Sequence, residues 1–234
     1  MFRCKQFDVA DDRCAMKIGT DGVLLGAWAS LDPQPETILD VGAGSGIISL
    51  QLAQRSNASV IDAVEVEPNA YEQCTENIEN SPWGDRLFCY HASFQEFVAE
   101  MDERYDLIIS NPPFYSEAYT SKQPSRDLAR FAEALPFPEL LKGVSKLLSP
   151  DGQFATVLPS SSFDSFVKLA EAHLLFPKRI CYVKGNAKAD VKRCLLELSF
   201  QKATPTIEHL TIEIERHHYT PAYIALVKDF YLKM

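Results

Sequence analysis

A short apolar segment that leads into a glycine-rich turn constrains the fold of this chain more than any other feature. The segment TILDV (Thr37 to Val41) is typical of a buried strand, and GAGSG (Gly42 to Gly46) is typical of a turn. IISLQLAQR follows with the spacing of a helix, and SVIDAVEV then has the composition of a second strand. Alternation of strands and helices predicts a mostly parallel sheet with helices on both faces.

The same alternation continues through most of the chain. Further strands are predicted at RLFCY, YDLIIS, QFATVLP, RICYV, CLLELSF and LTIEIE. Helices are predicted after Pro68 and at FQEFVAEM, PELLKGVSKLL, SFDSFVKLAEAHL and TPAYIALVKDFYLKM. The polar stretch 116–137 interrupts the pattern, and a loop of this length is usually functional or disordered. The length of 234 residues suits one α/β domain over 1–234.

Polar or glycine-rich residues follow four of the predicted strands at the point where each strand ends. Asp40 and the glycine turn belong to the first strand end, and Glu65 stands at the second. His91 and Ser93 come at the third, and Asn111 begins the corner that follows the fourth. Ligands of such sheets bind at the carboxyl ends of the strands. We therefore predict one functional site at this edge of the sheet.

The glycine spacing distinguishes two classes of nucleotide ligand. A nicotinamide or flavin fingerprint reads G-x-G-x-x-G, but Ile47 stands where its last glycine should be. A carboxylate at Asp40 suits a ligand with an ammonium or sulfonium group, and Glu65 can accept hydrogen bonds from two ribose hydroxyls. This pattern favours S-adenosylmethionine over a dinucleotide. The alternative is a plain strand–helix turn that Asp40 caps, which leaves Glu65 unexplained.

The corner Asn111-Pro112-Pro113-Phe114 suits the methylation of an exocyclic amine. The side-chain oxygen of Asn111 and the carbonyl of Pro112 can each accept a hydrogen bond from the amine, which makes the nitrogen more pyramidal and more nucleophilic. Prolines fix the backbone of the corner, and Phe114 offers a face on which a flat base can stack. The alternative is an ordinary turn, since Asn and Pro are turn formers.

With these motifs the sequence resembles the amino-methylating class I S-adenosylmethionine-dependent methyltransferases. The N-terminal KQFDVADDRCAMKIGTDGVLLGAWA, together with NIENSPW and the terminal FYLKM, is similar to the bacterial tRNA1(Val) (adenine-37-N6)-methyltransferase family over nearly the whole chain. The resemblance implies a Rossmann-like, seven-stranded sheet whose last strand is antiparallel. It also implies methylation of the adenine next to the anticodon of tRNA1(Val), with the tRNA anticodon loop as the partner.

The resemblance also implies roles for individual residues. The methionine part of the cofactor would be lined by Asp40, Gly42 and Gly44, and its ribose would be held by Glu65. The target amine and base would be held by Asn111, Pro112, Pro113 and Phe114. The segment 1–36 would close over the cofactor ahead of the core 37–234, with matching positions at Lys17, Thr20 and Asp21. The third strand end usually carries an Asp toward the cofactor adenine, and Ser93 stands there instead, so we expect a weaker contact.

Three alternative functions remain open from the sequence. Ribosomal-RNA guanine-N2 and protein glutamine-N5 methyltransferases use the same corner, so the substrate is less firmly indicated than the reaction. A catalytically silent RNA-binding module on the same fold is a second alternative, although Asp40, Glu65 and Asn111 are all present. A Rossmann oxidoreductase is the third, and the glycine spacing disfavours it.

Charge and cysteine content bear on partners and location. The net charge of −9 argues against general nucleic-acid coating, so RNA binding would need local basic groups. Candidate groups are Lys122, Arg126 and Arg130; Arg3, Lys5, Arg13 and Lys17; and Lys184, Lys188, Lys192 and Arg193. The six cysteines form no C-x-x-C pair, so we expect reduced thiols and no metal. The sequence has no apparent signal peptide or membrane span, and we expect a cytoplasmic monomer.

Overall fold

The computed structural model describes residues 1–113 and 135–234, and its main feature is a nine-stranded sheet. The strands are β1 Phe2–Arg3, β2 Asp8–Val9, β3 Thr37–Val41, β4 Val60–Glu65, β5 Leu87–His91, β6 Tyr105–Ser110, β7 Leu148–Pro159, β8 Phe176–Asn186, β9 Val191–Ser199, β10 Thr206–Glu215 and β11 His218–Tyr219. The helices of the described residues are α1 Thr20–Trp28, α2 Ile47–Arg55, α3 Pro68–Glu79, α4 Phe94–Glu100, α5 Phe137–Leu147, α6 Phe163–Ala172 and α7 Pro221–Val227. None of these helices is long and apolar enough to cross a bilayer.

The order of the strands places a topological switch point in the middle of the sheet. The order is β11-β10-β8-β9-β7-β6-β3-β4-β5, and β1 pairs with β2 in a separate hairpin. The chain runs from β3 outward to β4 and β5, whereas from β6 it runs outward to β7 on the other side. Strands β3 and β6 are therefore neighbours from which the connections diverge, and ligands bind at such points in open α/β sheets.

The predicted Rossmann-like class I fold is confirmed, but the strand count of seven is wrong for this sheet. Strands β3 to β9 form the expected seven, with β9 antiparallel to both β7 and β8. Two further strands extend that sheet, because β10 pairs in parallel with β8 and β11 pairs antiparallel with β10. Leu210 and Ile212 of β10 are buried beside Tyr223 and Val227 of α7. Burial of this apolar face accounts for the extension of the sheet.

Successive residues of the central strands are buried on opposite faces of the sheet. Ile38 belongs to a core with α1, α2 and α7, whereas Leu39 belongs to a second core with α4, α5 and α6. Alternation of this kind follows from the strand period of two residues. Both faces of the central strands are covered, which explains why β3 and β6 are mostly apolar.

Helix α1 was not among the helices that the sequence predicted. Its residues from Gly22 to Trp28 are all buried, so no polar face marks a helical period. The helix lies close against α2, since a β carbon at Gly26 would overlap the side chain of Gln51. The Gln51 amide donates to the carbonyl of Val23 at 3.1 Å. This contact fixes the N-terminal segment against the helix that follows the glycine turn.

Candidate active site

The ends of β3 and β6 lie side by side at the switch point. Asp40 is opposite Ile109 in the parallel ladder, and Val41 is opposite Ser110. The Ser110 hydroxyl donates to the carbonyl of Val41 at 2.9 Å. The glycine turn and the corner at Asn111 therefore begin from adjacent positions, as the sequence predicted.

Left-handed glycines shape the turn after β3. Gly42, Gly44 and Gly46 have φ values of 72°, 57° and 78°, a region that side chains with a β carbon rarely adopt. A β carbon at Gly46 would meet the Cys74 sulfur at 2.9 Å, so Gly46 permits close packing on α3. A β carbon at Gly42 or Gly44 would meet nothing within 4 Å. The backbone at these two glycines therefore borders open space that a ligand could approach closely.

Glu65 is buried at the end of β4 and is held by backbone amides. Its Oε2 accepts from the Gly44 N–H at 2.8 Å, and its Oε1 accepts from the Glu67 N–H at 2.9 Å. Each carboxylate oxygen has a second lone pair, so the group can also accept from two hydroxyls. Glu65 thus fixes the glycine turn and retains the capacity that the proposed ribose contact needs.

Asp40 is fully buried, and one of its two oxygens has no partner among the described residues. Oδ2 accepts from the Ser49 backbone N–H at 3.1 Å and from the Ser49 hydroxyl at 2.6 Å. Oδ1 has no hydrogen-bond partner in the described part of the chain. Burial raises the pKa of this carboxyl to about 6, although the two hydrogen bonds from Ser49 act in the opposite direction. A buried acceptor without a partner is costly unless a ligand supplies a donor.

Three chain segments meet at Asn111. Gly22, in the first turn of α1, lies so close that its β carbon would be 3.8 Å from Asn111 Nδ2 and 3.6 Å from Ile47 Cγ2. Asn111 and Pro113 are half-buried, and Pro112 is buried. The corner therefore adjoins both α1 and the start of α2. Phe114 lies outside the described residues, as do Lys122, Arg126 and Arg130.

The segment before α1 is bound to the glycine turn through α3. The Asn77 amide donates to the carbonyls of Ala10 and Ser45, both at 2.8 Å, and its oxygen accepts from the Ala10 N–H at 2.9 Å. Lys17 donates to the carbonyl of Asp11 at 2.6 Å. The segment thus lies beside the predicted cofactor site, while its closure over the cofactor stays a prediction.

Asp21 connects the start of α1 with the start of β9. Its carboxylate lies 2.6 Å from Nε of Arg193, and both side chains are about a third exposed. Burial raises the pKa of Asp21, and the guanidinium opposes this shift. Thr20 is the first residue of α1. Sequence reasoning assigned Arg193 to a basic group and did not find this ion pair, since nothing local indicates it.

Ser93 is the N-cap of α4. Its hydroxyl accepts from the Glu96 N–H at 3.2 Å and donates to the Glu96 carboxylate at 2.7 Å. This is a capping box, and the S-x-x-E spacing in SFQE is the signal that could have found it. A contact between Ser93 and the cofactor adenine stays a prediction. His91 stacks on Tyr71 with ring centroids 4.9 Å apart, consistent with a packing role.

The chemistry of these residues fits S-adenosylmethionine. The Asp40 oxygen without a partner suits an ammonium group, the Glu65 carboxylate suits two hydroxyls, and Gly42 and Gly44 leave room for close approach.

The cysteines of the chain are all free, and burial raises the pKa of Cys14 to about 11. Within the described ranges, no cluster of three or more His, Cys, Asp or Glu could hold a metal ion.

Comparison with known proteins identifies the family. Residues 22–162 match the family model described as the methyltransferase small domain. A tRNA1(Val) (adenine(37)-N6)-methyltransferase from Christiangramia forsetii is 58% identical over 235 residues, which cover 100% of this chain and 98% of that protein. The chain belongs to the tRNA1(Val) (adenine(37)-N6)-methyltransferase family. Relatives of the same name from Flavobacterium johnsoniae and Cronobacter sakazakii are 52% and 42% identical, covering 100% of this chain and 100% and 95% of their own.

Solved structures agree on the fold of this family member. A predicted O-methyltransferase, protein Atu636 from Agrobacterium tumefaciens, superposes with a TM-score of 0.70 at 18% identity, over 90% of this chain and 96% of that one. A TehB-like SAM-dependent methyltransferase from Corynebacterium glutamicum has a TM-score of 0.52 at 15% identity, over 78% and 89%. The resemblance to an adenine-N6-methyltransferase family is confirmed, and S-adenosylmethionine is the expected cofactor.

Proposed function

We propose that this protein transfers a methyl group from S-adenosylmethionine to N6 of adenine-37 in the anticodon loop of tRNA1(Val). The observation that carries the proposal is full-length identity of up to 58% with relatives named for this activity. The adjacency of Asn111 to the glycine turn supports it, because the acceptor amine and the methyl donor must meet in one place.

The cofactor would be held by residues at the ends of β3 and β4. Asp40 would pair with its ammonium group, Glu65 would accept from its ribose hydroxyls, and Gly42 and Gly44 would let the backbone approach it. When bound, S-adenosylmethionine supplies an electrophilic methyl group on a sulfonium. Lys17, Thr20, Asp21 and Ser93 are further candidates for contact with the cofactor or for closure of the site.

The corner would orient and activate the acceptor. Asn111 Oδ1 and the Pro112 carbonyl would accept the two N6–H hydrogen bonds, which localises the nitrogen lone pair toward the donor. The corner would thus hold N6 toward the methyl group that bound S-adenosylmethionine would supply, and the proton that N6 loses would pass to solvent, since Asn111 and Pro113 are only half-buried. Pro112 and Pro113 keep the acceptors fixed before the amine arrives. Phe114 would stack on the base, which single-stranded loops present without opening a duplex.

The test is methyl transfer from labelled S-adenosylmethionine to tRNA1(Val), followed by nucleoside analysis. The expected product is N6-methyladenosine, and a transcript with guanine at position 37 should accept no label. Label in N2-methylguanosine or in protein glutamine would overturn the substrate assignment. A cytoplasmic monomer is part of the proposal, since tRNA is the substrate and one chain carries all of the proposed contacts.

A further inference from the structure

The β8–β9 hairpin carries an excess of positive charge in an acidic chain. Residues 184–193 contain three lysines and one arginine against a single acid, Asp190, whereas the whole chain has a net charge of −9. A local reversal of charge of this kind is what binding to phosphates requires. We propose that this hairpin binds the RNA backbone of the substrate. This proposal rests on the function proposed above and deepens it.

The topology brings the hairpin to the edge of the sheet that holds the site. Strand β8 runs parallel to β7, because both are antiparallel to β9. The end of β8 and the start of β9 therefore lie at the same edge as Asn111. Through β7, the end of β6 at Ser110 is level with Leu196 of β9, two strand spacings of about 4.8 Å away. At about 3.3 Å per residue, Arg193 and the start of β9 at Val191 extend roughly 10 and 17 Å beyond that level, so the hairpin projects past the end of β6 on the side of the site.

The base and the tip of the hairpin differ in their contacts. Arg193, at the base, is paired with Asp21 of α1 and thus connects the hairpin to the segment that lies against Asn111. Lys188 and Lys192 are exposed, and Lys184 is half-buried. In the described part of the chain these three ammonium groups form neither an ion pair nor a hydrogen bond. They are available to an external anion.

The backbone presents these lysines in an ordered arrangement. Ala189 N–H donates to the carbonyl of Asn186 at 3.1 Å, and Lys188 N–H donates to the Asn186 side chain at 3.0 Å. The ladder shifts by one residue beside Lys184, which leaves Lys192 in a β-bulge. Bulges near active sites redirect side chains. The nearest acid on a neighbouring strand, Glu213, is opposite Asn186 and accepts from the His217 N–H.

The other described basic group is less available. The Lys5 ammonium donates to the carbonyls of Lys228 and Met234, at 2.6 and 2.9 Å. Arg13 is paired with Glu72 and Glu76 of α3. Lys17 also donates to the Asp11 carbonyl, so Arg3 is the one member of this group with no such contact in the described part of the chain. The hairpin has three such lysines and is therefore the described group that best fits RNA phosphates.

The test compares two triple variants of equal charge. Lys184→Gln, Lys188→Gln and Lys192→Gln alter the hairpin, and Lys146→Gln, Lys178→Gln and Lys202→Gln alter lysines at the opposite edge of the sheet. Affinity for tRNA1(Val) is measured against salt concentration. The hairpin variant should bind more weakly, and its logarithmic salt slope should fall by about 0.7–0.9 for each phosphate that is no longer neutralised. The control variant should behave like the wild type.

Equal slopes for the wild type and the hairpin variant, or an equal loss of affinity in the control, would overturn the proposal. A triple Lys→Arg variant of the hairpin should restore the slope, since it keeps the charge. Unchanged affinity for S-adenosylhomocysteine verifies that each variant is folded. Nucleoside analysis of the wild-type reaction tests the methylation itself, so a failure of the hairpin assignment is distinguishable from a failure of the proposed function.

Discussion

At the scale of single residues, the burial of Asp40 links cofactor binding to stability. Its pKa rises from an ordinary 3.8 to about 6, so between these values the folded protein retains a proton that the unfolded chain has released. The free energy of unfolding therefore falls as pH rises through this window. A buried charge without a full set of partners is a cost that the free enzyme carries and that a bound ammonium group would offset.

Asp40→Asn should make the free protein more stable and its binding weaker. The amide oxygen can still accept from Ser49, and no charge is buried, so the free energy of unfolding at pH 7 should rise on the order of 1–3 kcal/mol. Affinity for S-adenosylhomocysteine should fall, since the amide cannot pair with an ammonium group. Urea denaturation at pH 5 and pH 7.5, with calorimetry at pH 7.5, measures both. A variant that is less stable and binds normally would contradict this reading.

Glu65→Ala should weaken cofactor binding by about tenfold to a hundredfold. Hydrogen bonds to a charged group contribute about 1.5–3 kcal/mol, and the variant cannot make those to the ribose. It also frees the Gly44 N–H, which loosens the turn. Calorimetry with S-adenosylhomocysteine is the measurement, and Glu67→Ala, which removes the cap of α3, serves as the control. Normal affinity in a folded Glu65→Ala protein would exclude the ribose contact.

Strand ends made Asp40, Glu65 and Asn111 predictable from the sequence. Parallel strands bring their carboxyl ends to one edge, so a local pattern was enough to group them. The pairing of Asp21 with Arg193 joins residues that are far apart in the chain, and no local pattern indicates it. The capping role of Ser93 is local, and the S-x-x-E spacing indicates it, whereas the family resemblance implies a contact with the cofactor adenine.

At the scale of elements, α1 is the part of the site that sequence periodicity did not reveal. Its buried residues lie on every side, so the helical period has no polar face to mark it. The helix nevertheless brings Gly22 against Asn111 and Asp21 to Arg193. The N-terminal segment, and not the core sheet alone, therefore shapes the corner where the amine would bind.

Loss of the ion pair between Asp21 and Arg193 should impair positioning more than folding. Partly exposed pairs contribute up to about 1 kcal/mol, so Asp21→Asn and Arg193→Gln should each lower kcat/KM for S-adenosylmethionine by about fivefold. The double variant should be little worse than either single variant, because the two residues act through one contact. Steady-state kinetics of the wild type, the two single variants and the double variant give a double-mutant cycle. Fully additive losses would mean that the residues act separately.

At the scale of the whole molecule, the sheet order could be predicted only in part. The alternation of elements predicted a mostly parallel sheet and LTIEIE as one of its strands, and the family resemblance implied seven Rossmann-like strands. Its position beside β8 depends on pairing and burial far along the chain, so periodicity could not place it. The net charge likewise gave no location for the cations, whereas the fold brings the β8–β9 hairpin to the edge of the site.

The central claim is that the corner at Asn111 activates an amine beside a bound methyl donor. The most direct measurement is turnover of Asn111→Ala on tRNA1(Val), set against its affinity for S-adenosylhomocysteine, with the exposed Asn57→Ala as a control. Removing one preorganised hydrogen-bonding group costs on the order of 100- to 1,000-fold in turnover. We predict a fall of that size with cofactor affinity nearly unchanged and a control like the wild type. Near-normal turnover of Asn111→Ala would mean that the corner is only structural.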